Sequence, residues 1–83
     1  MAELIQAYEV TLRDGCGEQY APRAFGEARE DGTWEGWLEF EPASGGASLR
    51  TDRETTQPDR DALAYWASGL EPVYLEGALW RAS

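Results

Sequence analysis

Sixteen carboxylates, seven arginines, one cysteine and no histidine or lysine define the chemistry open to this 83-residue chain. Without an imidazole there is no Ser-His-Asp or Cys-His pair and no histidine metal ligand. Without a lysine there is neither a Schiff base nor the phosphate-binding lysine of a nucleotide loop, and Gly45-Gly46 is too short to serve as one. Carboxylate chemistry, a lone thiol, or binding without catalysis remain. Glu35, Glu39 and Glu41 alternate along one stretch, with Glu27, Glu30 and Asp31 just ahead of them. A divalent-cation site or an acid/base pair needs such groups to converge. Alternate positions on a strand stand ~7 Å apart, too far for tight coordination without a second strand. No Asp-x-Asp-x-Asp-Gly pattern is present. The glutamates therefore read as a solvated sheet face, and no metal or cofactor is expected. Cys16 lies between Gly15 and Gly17 with only Arg13 near in sequence to lower its pKa. A reactive thiolate needs a base or a helix N-terminus, so Cys16 reads as a loop residue and the chain as a non-enzyme.

Two groups of residues could bind without reacting. Trp37 falls on the charged side of an alternating stretch, and Tyr74 and Trp80 fall on the less apolar side of another. Together with Glu35 and Glu39 they could form an aromatic patch rimmed by carboxylates, a surface for a protein partner. The competing reading is that a helix or a second copy covers this face, or that Trp37 stacks on an arginine such as Arg50. The second group is the polar run Arg50, Arg53, Thr55, Thr56 and Gln57. Lying where a strand would meet a helix start, it could form a small-ligand or anion site, since helix N–H groups and two arginines favour negative charge. It could equally be an edge strand plus capping residues with internal Arg–Glu pairs.

The element that must position these residues is Thr33–Glu41, TWEGWLEF followed by Glu41. Trp34, Gly36, Leu38 and Phe40 fall on one side of an extended chain and Glu35, Trp37, Glu39 and Glu41 on the other, which is the period of a half-buried strand. Asp31-Gly32 ahead of it signals a hairpin turn. Leu4–Arg13 is read as a strand with Leu4, Tyr8, Val10 and Leu12 inward. Glu18–Arg29 is read as a kinked strand: Tyr20 and Phe25 are an odd number of positions apart, so a bulge at Pro22–Ala24 is needed to bring them to one face. Ala47–Thr55 is read as a polar edge strand anchored by Leu49. Pro58–Ser68 is read as a helix capped by Thr56 at its start and Gly69 at its end, with Leu63, Trp66, Ala67 and Leu70 forming its apolar stripe. Val73–Arg81 is read as a last strand with apolar residues on both faces, hence covered on two sides.

The order β-β-β-β-α-β in a chain this short predicts a single domain, residues 1–83: an α+β fold with a curved antiparallel sheet of about five strands and one packed helix. The sheet either lies open under the helix or curls into a small, partly open barrel. Trp34, Leu38, Phe40, Tyr8, Val10, Leu12, Leu63, Trp66, Val73, Leu75 and Leu79 are the expected core. Met1–Val10 lacks the basic segment of a secretion signal, no apolar run approaches the ~20 residues of a membrane span, and the lone cysteine excludes an internal disulfide. A cytoplasmic location is expected. A net charge of −9 repels phosphate backbones and anionic lipid, so nucleic acid and membranes are not the expected partners.

With the blocks TWEGWLEF, LRTDRETTQP and GLEPVYLEGAL, the whole chain resembles short stand-alone bacterial proteins with no assigned activity. The resemblance implies a bacterial cytosolic domain and brings no catalytic residues with it. The leading expectation is a non-catalytic protein-interaction module that binds a basic or amphipathic protein, or its own copy, through the aromatic and acidic surface. The alternative is the small-ligand or anion site at Arg50 and Arg53.

Overall fold

The hairpin expected around Asp31-Gly32 is the centre of the molecule. In the computed structural model, which describes residues 1–83, β3 (Gln19–Ala28) and β4 (Trp34–Pro42) pair antiparallel without interruption from Tyr20 opposite Pro42 to Ala28 opposite Trp34. Gly32 supplies the positive φ of 89° that the turn requires. One hairpin face buries Tyr20, Pro22, Ala24 and Gly26 with Gly36, Leu38, Phe40 and Pro42. The other carries Arg23, Phe25, Glu27, Glu35, Trp37, Glu39 and Glu41.

Flanking the hairpin are two broken strands. β1 (Glu3–Ala7) and β2 (Leu12–Arg13) both pair with β3, while β5 (Leu49–Arg50) and β6 (Thr55–Gln57) both pair with β4. Each break has a physical cause. Tyr8 donates its backbone N–H to Pro22 O at 3.2 Å, but Pro22 has no N–H to return, and the ladder lapses there. On the opposite edge, Thr51 N–H donates to Leu38 O at 2.9 Å, but Leu38 N–H turns to the Thr51 hydroxyl at 3.1 Å instead of a backbone carbonyl. That side chain replaces the missing acceptor and frees residues 52–54 to bulge out before β6 begins.

The expected bulge at Pro22–Ala24 is absent from the β3–β4 ladder. Tyr20 and Phe25 simply lie on opposite faces, because Phe25 has its own partner, Trp37, directly across the hairpin. The register shift occurs instead in β1, between Leu4 and Gln6. It turns Ile5 toward the core and leaves Leu4 49% exposed, reversing the face expected for Leu4.

Both helices pack on the Tyr20–Phe40 face. α1 (Arg60–Ser68) is capped by Asp59, whose Oδ1 accepts the Ala62 N–H at 2.8 Å. Thr56 cannot be the cap because β6 takes it into the sheet. Leu63 is fully buried over two glycines that face each other across the hairpin, Gly26 and Gly36. A Cβ on Gly36 would lie 2.6 Å from Leu63 Cδ1, and one on Gly26 would overlap Leu63 Cδ2. The two strands thus leave a slot one side chain wide, and Leu63 fills it.

The last expected strand is a helix, α2 (Pro72–Arg81). Leu75, Ala78 and Leu79 recur at helical spacing and are the buried residues, whereas Val73, expected in the core, is exposed. A short apolar run fits both periods. Pro72 at the first helical position, with its fixed φ and no N–H to lose, belongs to the helix. The architecture is α+β, an open antiparallel sheet of six strands with two helices, not closed into a barrel. Neither helix is long and apolar enough to cross a membrane.

Candidate functional site

Trp37, Glu35 and Glu39 lie on the sheet face away from the helices, while Tyr74 and Trp80 lie on α2. The five residues expected to share one patch therefore do not. Trp37 is 2% exposed, which overturns its expected role as an exposed contact residue. Its own neighbours cover it. Phe25 stacks beside it with ring centroids 6.5 Å apart and planes 15° from parallel. Arg50, opposite Glu39 in the ladder, places its guanidinium 4.3 Å from the indole centroid. The indole Nε1–H donates to Glu39 at 2.9 Å. Glu35 is engaged by Arg29 at 3.2 Å and Glu41 by Arg23 at 3.3 Å. Stacking on Arg50, the competing reading from sequence, is what the structure shows.

The polar run is dispersed as well. Arg50 is committed to Trp37, and Arg53 projects from the exposed bulge between β5 and β6. Within β6, alternation sends Thr56 to the Glu35 side and Thr55 and Gln57 to the helix side, where the Gln57 amide donates to the Thr55 hydroxyl at 2.7 Å. The start of α1 already has its acceptor in Asp59. These five residues do not converge on a common ligand position.

A cluster not foreseen from sequence joins the bulge to α2. The Glu54 carboxylate, its side chain 5% exposed, accepts Arg81 Nη1–H at 2.5 Å and Nη2–H at 3.0 Å, and the Tyr74 hydroxyl at 2.5 Å. Burial pushes the Glu54 pKa up, but the Arg81 and Tyr74 hydrogen bonds and the arginine charge outweigh it and hold the carboxyl below its ordinary value. The same contacts raise Arg81, and burial together with the Glu54 hydrogen bond raises Tyr74. With both oxygens of its carboxylate bonded, the cluster works as a clamp on α2. Partners 20 and 27 positions apart leave no sequence signal.

The side of α2 that turns away from the core is not covered from within the molecule. Val73, Gly77 and Trp80 follow one another at i, i+4 and i+7 and so share a side, roughly opposite Leu75, Ala78 and Leu79. Val73 is 76% and Trp80 73% exposed. A Cβ on Gly77 would meet no atom within 4 Å, so nothing inside the molecule demands a glycine there. In mid-helix it costs ~1 kcal/mol relative to alanine. The Trp80 ring reaches down to the turn after β2, where a Cβ on Gly15 would stand 3.7 Å from its Cη2. That turn carries Asp14, whose carboxyl the Cys16 and Glu18 N–H groups and the Tyr20 hydroxyl hold below its usual range. Glu71, the residue that precedes α2, and Glu76 within it are exposed.

Elsewhere the surface offers little concavity. A shallow groove of about 250 Å³ lies between Thr11, Gln19, Tyr20 and Glu41 at the far end of the hairpin, and no buried side-chain nitrogen or oxygen in the protein lacks a partner. No three His, Cys, Asp or Glu side chains converge in a metal-binding arrangement. No protein-family model, curated protein or solved structure matches the chain.

Proposed function

We propose that this protein is a non-catalytic protein-binding module of a bacterial cytosol, and that its contact surface is the outward side of α2. What supports this is the exposure of Val73 and Trp80 on a helix whose opposite side is already buried. A helix with apolar residues on both sides is one that is covered on both sides in its working state. Tyr74 flanks the stripe on one edge, and Glu76 supplies a carboxylate on the other, as the polar rim of a partner-binding surface does. A tryptophan in such a patch is among the residue types that most often dominate binding energy.

A photo-crosslinking residue placed at position 73 tests this, with the same residue at the exposed Leu4 position on β1 as control. Discrete adducts are expected from position 73 in bacterial extract or with the purified chain, and none from position 4. Equal labelling from both positions, or none from position 73, would reject α2 as the contact surface. Light scattering at several concentrations and two salt levels then separates a foreign partner from a second copy.

A further inference from the structure

Gly77 is the one residue of α2 whose type serves nothing within the fold. It weakens the helix, it is not at an end, and the space over it is empty. Val73 stands on one side of it and Trp80 on the other, both exposed. The stripe is therefore a saddle: two apolar walls with a floor that is bare backbone. Seven residues of helix separate the walls by about 10 Å, close to the ~10–12 Å width of a helix with its side chains. A glycine at that point lets a crossing helix approach closely.

Resting on the reading of this side as the binding surface, we infer that its occupant is an amphipathic helix of a basic partner, crossing α2 at Gly77 with apolar residues against Val73 and Trp80. Charge decides against a second copy. Glu76, three positions from Val73 and four from Trp80, borders the saddle, and Trp80 rests over the turn that carries Asp14 and Glu18. Arg81 is the one basic residue of α2, and its guanidinium is held by Glu54. Two copies packed antiparallel at Gly77 would set their Glu76 side chains beside one another, and a pairing in either direction brings together two chains of net charge −9. A helix with lysines or arginines flanking its apolar side meets these carboxylates and can place a cation on the exposed indole.

Isotope-labelled protein titrated with a synthetic leucine–lysine amphipathic helix tests this. Controls are a leucine–glutamate helix of the same pattern and a scrambled leucine–lysine peptide of the same composition. The basic helix is expected to shift the amide resonances of Val73 and Gly77 and the indole N–H of Trp80, and to bind more weakly as salt rises. Gly77→Leu fills the saddle without changing charge and is expected to weaken binding at least tenfold, with an unchanged circular dichroism spectrum confirming the fold. Trp80→Ala is expected to weaken it comparably. Equal binding of the scrambled or acidic peptide, or an affinity indifferent to Gly77→Leu, would overturn the inference. A dimer of the free protein that Gly77→Leu dissolves would also overturn it, while leaving α2 as the contact surface. Shifts confined to residues away from α2 and insensitive to both variants would remove that surface too.

Discussion

Trp37 and Trp80 each lie on the side of their element that turns away from the core, yet the first is 2% and the second 73% exposed. The difference comes from neighbours, not from the residue. On the sheet, Trp37 has a cross-strand partner in Phe25 and a diagonal one in Arg50, and both are large enough to lie against the ring. On the helix, the positions that could shelter Trp80 are Gly77, which has no side chain, and Glu76, which prefers water. A sheet face can close over a tryptophan by itself, whereas one helix side cannot. The outward face of the sheet is therefore finished, and the outward side of α2 is open.

This contrast can be broken most directly at Trp37. Trp37→Ala should destabilise by ~3 kcal/mol in chemical denaturation, and a change near zero would mean that the lid over the ring contributes nothing. Glu54→Gln, at the root of α2, should cost about 1–2 kcal/mol through weakened charge-assisted hydrogen bonds. It should also change the acid limb. Because the folded-state pKa of Glu54 is depressed, its contribution is present above the ordinary glutamate value of 4.5 and is lost as pH falls through the lower folded value. Melting temperature followed from neutral pH down to about pH 3 should fall less steeply in the variant than in the parent. Gly77→Ala should raise stability by ~1 kcal/mol, since no atom is waiting for the added methyl; a loss would show that the saddle is filled from within. Trp80→Ala should move stability by less than ~0.5 kcal/mol while weakening association, which places the two tryptophans at opposite ends of one scale.

Much of the architecture was legible because it rests on local chemistry. The alternation of Trp34–Phe40, the Asp31-Gly32 turn and the Leu63–Leu70 stripe lead to the hairpin and to α1 without tertiary information. α2 was misread because Val73, Leu75, Gly77 and Leu79 satisfy a period of two as well as Leu75, Ala78 and Leu79 satisfy a helical one. The sides changed with the period: a strand would put Val73 with Leu75 and Leu79, whereas the helix sets Val73 and Trp80 opposite them. The clamp at Glu54 was illegible for another reason: its partners meet only once the bulge and α2 are in place. Trp37 was ambiguous because a period of two assigns a residue to a face but says nothing of what lies across the strand. The same alternation, applied to Thr55, Thr56 and Gln57, is what separates a run that looks continuous in sequence.

The two interrupted edge strands bear on how the protein behaves in a crowded solution. An open sheet ordinarily exposes two rows of unpaired backbone groups onto which other chains can zip. Here one row lapses opposite Pro22 and the other at Thr51, so the longest uninterrupted edge strand is the five-residue β1, itself shifted in register by a bulge. Fibril growth needs flat, continuous templates, and this molecule offers short, offset pieces. A proline and a threonine hydroxyl thus deny an unclosed sheet a long edge template while α2 keeps an apolar surface uncovered.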